Sequence, residues 1–229
     1  QVMNIEVPDR AKYLRTIWVE MSRVHSHLLW LGLLADAMGF ESLHMESWRL
    51  REKILDMFDE TTGGRIIHSV NQVGGVQRDM DSTMLNDILH AIDDIEKQMK
   101  PIVKTFLHDY TVQSRLKGVG VLSKDDAIAQ GAVGPMLRAS GVEYDARLLG
   151  YGAYKDLTVE PIISKDGDSY GRCEVRLKEL FQSFDLIREA NGKIPQGDIS
   201  VPVKGNPDGE YFVRIEQPRG EAIYYVKGS

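Results

Sequence analysis

Cysteine is nearly absent from this chain: Cys173 stands alone among 229 residues. One thiol permits no internal disulfide and no cysteine-built metal site within the chain. Such scarcity fits a cytoplasmic setting. Long apolar runs are missing too. The longest, Leu28 to Ala35, is interrupted only by Gly32 and reads as core, well short of the roughly 18 residues of a membrane span. Positive charge is not in excess, since 28 basic residues face 34 acidic ones for a net charge of −6. With no lysine–arginine block, the composition argues against a nucleic-acid partner. The residues from Gln1 to Pro8 carry neither the basic nor the apolar region of a signal peptide. Histidines with metal-ligand spacing are also lacking. His25 and His27 fall on different helical faces, and His44, His68, His90 and His108 are scattered.

What remains has helical period over long stretches. Pro8 suits a first turn and Asp9 the positive end of a helix, so a helix is expected from there to about Met38, stopped by Gly39. A second is expected from Ser42 or His44 to Thr62, closed by Gly63-Gly64. The segment Arg65 to Asp79 reads as an extended loop around Gly74-Gly75. A long helix should cover roughly Ser82 to Tyr110, with a kink or break at Pro101. Ser123, with Asp126 three residues on, should cap a short helix to about Gln130. Residues 131–141 read as a glycine-punctuated turn region and 143–168 as irregular, before a fourth long helix from about Tyr170 to Asn191. Beyond Pro195, alternation in Tyr211 to Ile215 and again in Ala222 to Val226 predicts two strands around a Pro218-Arg-Gly220 turn. The expected fold class is mainly α (α+β): a long-helix bundle over 1–195, with an irregular insertion at about 117–168 and a small antiparallel β lobe over 196–229. The chain begins without Met and stops just after a strand-like run, so a piece of a longer subunit is expected.

The stretch Glu20 to Gly32 carries most information. Ile17, Met21, Val24, Leu28 and Leu31 form one apolar stripe, and Glu20, Arg23 and His27 line its edge at spacings of three and four. Charged groups at the rim of a core must be paired or hydrogen-bonded. Two readings follow: a polar network that fixes helix packing, or a set of groups that supports a neighbouring catalytic or ligand pocket or forms a proton path. A desolvated Glu20 should have a raised pKa unless Arg23 pulls it back. The Gly74-Gly75 loop with Arg65, Arg78 and Asp79 could cradle an anion through backbone N–H groups. It lacks P-loop spacing, and close backbone packing between helices is the favoured reading. Arg138, Asp145 and Arg147 read as a salt-bridged loop pinning the irregular middle to the bundle. Cys173 reads as a packed thiol rather than a nucleophile.

Seven ordered blocks then carry a resemblance: Val7-Pro-x-Arg10, Arg23-Val-His-Ser-His-Leu-Leu-Trp-Leu-Gly32, Trp48-Arg-Leu-Arg-Glu-Lys53, Val73-Gly-Gly-Val-Gln-Arg-Asp79, Gly118-Val-Gly-Val-Leu-Ser123, Leu137-Arg-Ala-Ser-Gly141 and Glu216-Gln-Pro-Arg-Gly-Glu221. The series resembles the large subunit of energy-converting, membrane-associated [NiFe]-hydrogenases, and is similar to the homologous 49 kDa subunit of respiratory complex I. The resemblance implies an oxidoreductase subunit that works with an iron–sulfur small subunit and membrane subunits, peripheral on the cytoplasmic face of the membrane. The parent hydrogenase reaction is reversible proton reduction at a Ni–Fe centre; in the complex I alternative the reactant is a quinone reduced by NADH. The family's nickel is held by two Cys-x-x-Cys pairs, and this chain contains neither. The expectation is therefore no metal or other cofactor bound here, no turnover by this polypeptide alone, and self-association where partners are missing. The family's quinone pocket is associated with an acidic residue after the His-Leu-Leu motif; Asp36 lies one position out of register. Glu20, Arg23, His27 and Asp36 carry over as supporting residues only. A third alternative is a cofactor-less assembly scaffold.

Overall fold

A computed structural model describes residues 2–228. Four long helices, α1 (Asp9–Ala37), α2 (Glu41–Thr62), α3 (Ser82–His108) and α7 (Ser169–Lys193), form the body. Helix α1 packs on α2 and α7, and α3 packs on the same two, so the four close a ring around one core. The α1 stripe Leu14, Ile17, Met21, Val24, Leu28 and Leu31 is fully buried there against Ile54, Phe58, Ile92, Ile95 and Phe184. Each such side chain contributes roughly 1.5–3 kcal/mol on leaving water. Helices α1 and α2 approach closely at Gly32, where a Cβ would come 2.6 Å from Trp48 Cδ1.

Local chemistry explains most boundaries. Gly39 and Gly63 take positive φ and end α1 and α2. Asp81 caps α3 by accepting from the Met84 amide at 2.9 Å. Pro101 does not break α3: proline and the Lys97 it faces four residues earlier are both exposed, so the unpaired carbonyl can meet water. The break comes instead at Asp109, whose carboxylate caps a separate helix, α4 (Tyr110–Leu116). Ser123 caps α5 (Lys124–Ala129) by accepting from the Asp126 amide, as expected. The turn region at 131–141 needs correcting, because it contains a short helix, α6 (Gly134–Ala139).

Within the expected loop at 65–79, Asn71–Gln72 (β1) and Gly75–Val76 (β2) pair antiparallel. Val76 N–H then donates to the Ile199 carbonyl at 2.9 Å and Val201 N–H to the Gly74 carbonyl at 3.1 Å. Close packing at Gly74-Gly75 is thus real, but against segment 199–201 rather than between helices. Two 3-10 turns, Ala146–Leu149 and Tyr154–Asp156, order the irregular stretch. The chain ends in an antiparallel hairpin of β3 (Gly209–Gln217) and β4 (Gly220–Gly228). Its turn lies on the start of α6: a Cβ on Gly134 would meet Gly220 Cα at 2.3 Å. That contact brings the base of β3 to the middle of α1.

Candidate functional site

At that meeting point lies a cluster of buried charge. Spacing of three and four puts Glu20, Arg23 and His27 on the α1 face turned toward α7. They are not at a rim; Glu20 and Arg23 are wholly buried and His27 is 1% exposed. Helix α7 answers with Glu179 and Ser183, four apart on its inner face. Arg138 enters from the last turn of α6, Asp145 and Arg147 from the first 3-10 turn, Tyr154 from the second, and Glu216 from β3.

The connections are dense. Glu20 accepts from Arg23 Nε at 3.2 Å, Arg147 Nη1 at 3.3 Å, Ser183 Oγ at 2.7 Å and the Tyr154 hydroxyl. Arg147 also grips Asp145, at 3.0 Å through Nε and 2.7 Å through Nη2. Arg138 donates to Glu179 Oε1 and to Glu216 Oε1, both at 2.9 Å, and lies 3.5 Å from Asp145. His27 Nε2 is 2.7 Å from Glu179 Oε2. Arg23 reaches across to the Glu216 carbonyl at 3.0 Å, tying α1 to the hairpin.

Electrostatics follow from this geometry. Burial pushes the Glu20 carboxyl up, but Arg23, Arg147 and two hydroxyls overcome it and hold it below the usual range. Asp145 and Glu179 are likewise held down against burial, by Arg147 and by Arg138 with His27, respectively. Burial lowers His27 to about 4, with Glu179 pulling only partly back. His27 is therefore neutral at pH 7 and donates its Nε2–H to Glu179. Glu216 alone among the four carboxyls is pushed upward, because burial outweighs its share of Arg138.

Beside the cluster opens a cavity of about 470 Å³, walled by Val19, Ser22, His25, Ser26 and Leu29 of α1, by Tyr151, and by Ile215 to Arg219 at the end of β3. His25 Nε2 is buried without a hydrogen-bond partner, and burial lowers this imidazole to about 4. The arrangement pairs a mostly apolar chamber with a rigid, ionised scaffold behind its wall. Among the described residues no group of three or more His, Cys, Asp or Glu side chains is placed to hold a metal ion. Cys173 is fully buried on α7, and burial pushes its thiol up to about 12.

Of the residues singled out from sequence, Glu20, Arg23, His27, Arg138, Asp145 and Arg147 converge here. Three do not. Asp36 is exposed near the end of α1. Arg65 is on the surface, paired with Glu52 and Asp56 of α2. Asp79 pairs with Arg10 at 2.8 Å. The anion cradle at Gly74-Gly75 does not form, since the space a ligand would need at Gly75 holds the Ile199 carbonyl and Ser200. Sequence reading missed Glu179, Ser183, Tyr154 and Glu216. Arg176, Glu179 and Ser183 repeat on α7 the three-and-four polar row of α1, a signal that could have found them. Glu216 stood out only as the first residue of the block Glu216 to Glu221, and no spacing tied it to the cluster, because its partner Arg138 is 78 positions away.

Comparison with known proteins agrees with this architecture. The family model for the 49 kDa subunit of the respiratory-chain NADH dehydrogenase matches residues 37–206. The membrane-bound hydrogenase subunit alpha of Pyrococcus furiosus is 38% identical over 245 residues, covering 100% of this chain and 57% of that protein. An NADH-quinone oxidoreductase subunit of Phocaeicola vulgatus is 38% identical over 231 residues, covering 99% of this chain and 44% of that protein. In the solved structure of a membrane-bound sulfane sulfur reductase, an archaeal respiratory membrane complex, one chain superposes with a TM-score of 0.93 at 30% identity, covering 100% of this chain and 65% of that one. The chain thus spans about half the length of the curated relatives it matches.

Proposed function

Since the chain belongs to the family of the 49 kDa subunit of the respiratory-chain NADH dehydrogenase, we propose that it forms the helical body of the large subunit of a membrane-associated, energy-converting [NiFe]-hydrogenase. The observation that carries this reading is the match to the P. furiosus membrane-bound hydrogenase subunit along the entire chain. In the proposal, electrons arrive from an iron–sulfur partner subunit, membrane subunits hold the complex on the cytoplasmic face, and protons are reduced reversibly to hydrogen. The cavity beside Glu216 is the side of the reaction chamber that this chain supplies. The ion network keeps α1, α7 and the hairpin in fixed relation, so that the chamber wall does not relax when charge moves nearby.

The donor set of these residues does not fit a nickel–iron centre. Such a centre needs soft thiolates, and the one thiol here is sealed in the core, away from the cavity. We therefore assign these residues the support and shaping of the chamber, with no ligand role, and infer that the polypeptide alone binds no stoichiometric nickel and does not turn over. No helix is long and apolar enough to cross a membrane among the described residues, consistent with attachment through partners.

A second reading, a quinone-reducing subunit of the complex I type, is favoured by the family match and by the NADH-quinone oxidoreductase relatives. Hydrogen evolution from a reduced low-potential dye by the native membrane complex tests the choice. Hydrogen production that falls with Glu20→Gln supports the hydrogenase. Quinone reduction with no hydrogen chemistry supports the second reading and overturns the first.

A further inference from the structure

The buried cluster is not evenly compensated. Glu20 has two guanidinium groups and two hydroxyls. Asp145 has Arg147 through two nitrogens and the Arg147 amide at 2.9 Å. Glu179 has Arg138 and His27, with a further cation, Arg176, on the same helix and stacked 4.1 Å over Trp30. Among the described residues, the Glu216 carboxylate has only its share of Arg138, which serves Glu179 and Asp145 as well, and the Ala146 amide at 3.2 Å. Directly opposite it in the hairpin register stands another acid, Glu221, whose carboxylate goes to the Tyr144 hydroxyl and lies 3.8 Å from Arg214. Four carboxyls in hydrogen-bonded contact with three guanidinium groups leave one negative charge unmatched, and like charges opposite each other on a hairpin are unfavourable.

We propose that Glu216 is the proton-binding member of the network, the one carboxyl that takes up a proton while Glu20, Asp145 and Glu179 stay ionised, at a residue that lines the cavity. The elements packed on it supply the reasons. From α6 comes Arg138, shared with two other acids; from the first 3-10 turn, Asp145 and one amide. Arg23 of α1 holds its carbonyl rather than its carboxylate, and the Tyr151 hydroxyl accepts from its amide at 3.0 Å. From α7, Glu179 competes for Arg138. Burial raises the Glu216 carboxyl, in the same sense as the geometry. The alternative proton site, His27, is disfavoured by burial and by the nearby Arg176 and Arg23. When Glu216 releases its proton, the carboxylate left behind stays on Arg138 and no electron moves. This deepens the functional proposal, and rests on it for the claim that the adjoining cavity is a reaction chamber; the proton site itself does not.

Carbon-13 carboxyl NMR on the full chain, labelled at glutamate and titrated from neutral to acid pH, tests it. One buried glutamate resonance should titrate above the range of the exposed ones, vanish in Glu216→Gln, and persist in Glu179→Gln. If Glu216→Gln does not fold, Glu216→Asp carries the test, because the high-midpoint signal should move from the glutamate-labelled to the aspartate-labelled spectrum. A resonance unaffected at Glu216, or no buried carboxyl titrating before acid unfolding, overturns the assignment. The measurement needs neither hydrogen nor quinone. Failure of the functional reading would instead appear in the dye-linked assay, with the titration intact.

Discussion

At the scale of single residues, burial rather than charge decides what an ion pair is worth. Arg138 and Arg65 each face at least two acids, yet Arg138 is fully buried and Arg65 is exposed. Arg138→Met leaves Glu179 charged in the core without its guanidinium, and should cost about 3–5 kcal/mol of unfolding free energy. Arg65→Met should leave the urea midpoint almost unmoved. Equal losses in the two variants would refute the argument. His27 adds a pH dependence with a definite sign. Its folded pKa, about 4, lies below the ordinary 6.5, so the folded state prefers the neutral ring. The stability this brings is complete above pH 6.5 and is lost as pH falls toward 4, by about 3 kcal/mol. His27→Gln should flatten that window in pH-dependent denaturation. How far such residues were legible depended on helical spacing. Glu20, Arg23 and His27 could be grouped because they share one helix, but their full burial could not be read, because it is created by α7 and the hairpin, more than 150 residues away.

At the scale of elements, the long helices were legible because their apolar stripes repeat over many turns, and the missed pieces are those where stripes are too short to register. Helix α6, at six residues, hides between glycines. The proline's chemistry points to a kink or break at Pro101, whereas α3 runs on through it and ends at the Asp109 cap of the next helix. The same glycines set a further prediction. Gly134 sits at φ +62 with the Gly220 backbone against it, so Gly134→Ala meets both an unfavourable conformation and a backbone that cannot swing aside. We expect a loss of about 1–3 kcal/mol, and faster amide exchange in β3 and β4 than in α1. Uniform exchange in all elements would mean that the hairpin is not anchored through this contact.

At the scale of the molecule, the anchored base of the hairpin contrasts with its outer half. Phe212 and Tyr225 are paired on one face, with Ile223 opposite Arg214 beside them, and all three apolar side chains are more than half exposed. On the other face Tyr224 and Val226 are also open. Among the described residues neither strand pairs with a third; a lone two-stranded ribbon is marginal in water, and an unpaired apolar edge is a template for another strand. The net charge of −6 opposes association only weakly at physiological salt, where screening acts within about 8 Å. The chain by itself should therefore self-associate through β3 and β4, in a concentration-dependent way visible by analytical ultracentrifugation. Replacing Phe212 and Ile223 with Lys, both on one face and neither in contact with the buried network, should restore the monomer without shifting the urea midpoint. A chain that is already monomeric at high concentration, or a double variant that associates as strongly as the parent, would locate the sticky surface elsewhere and leave the hairpin as an ordinary exposed ribbon.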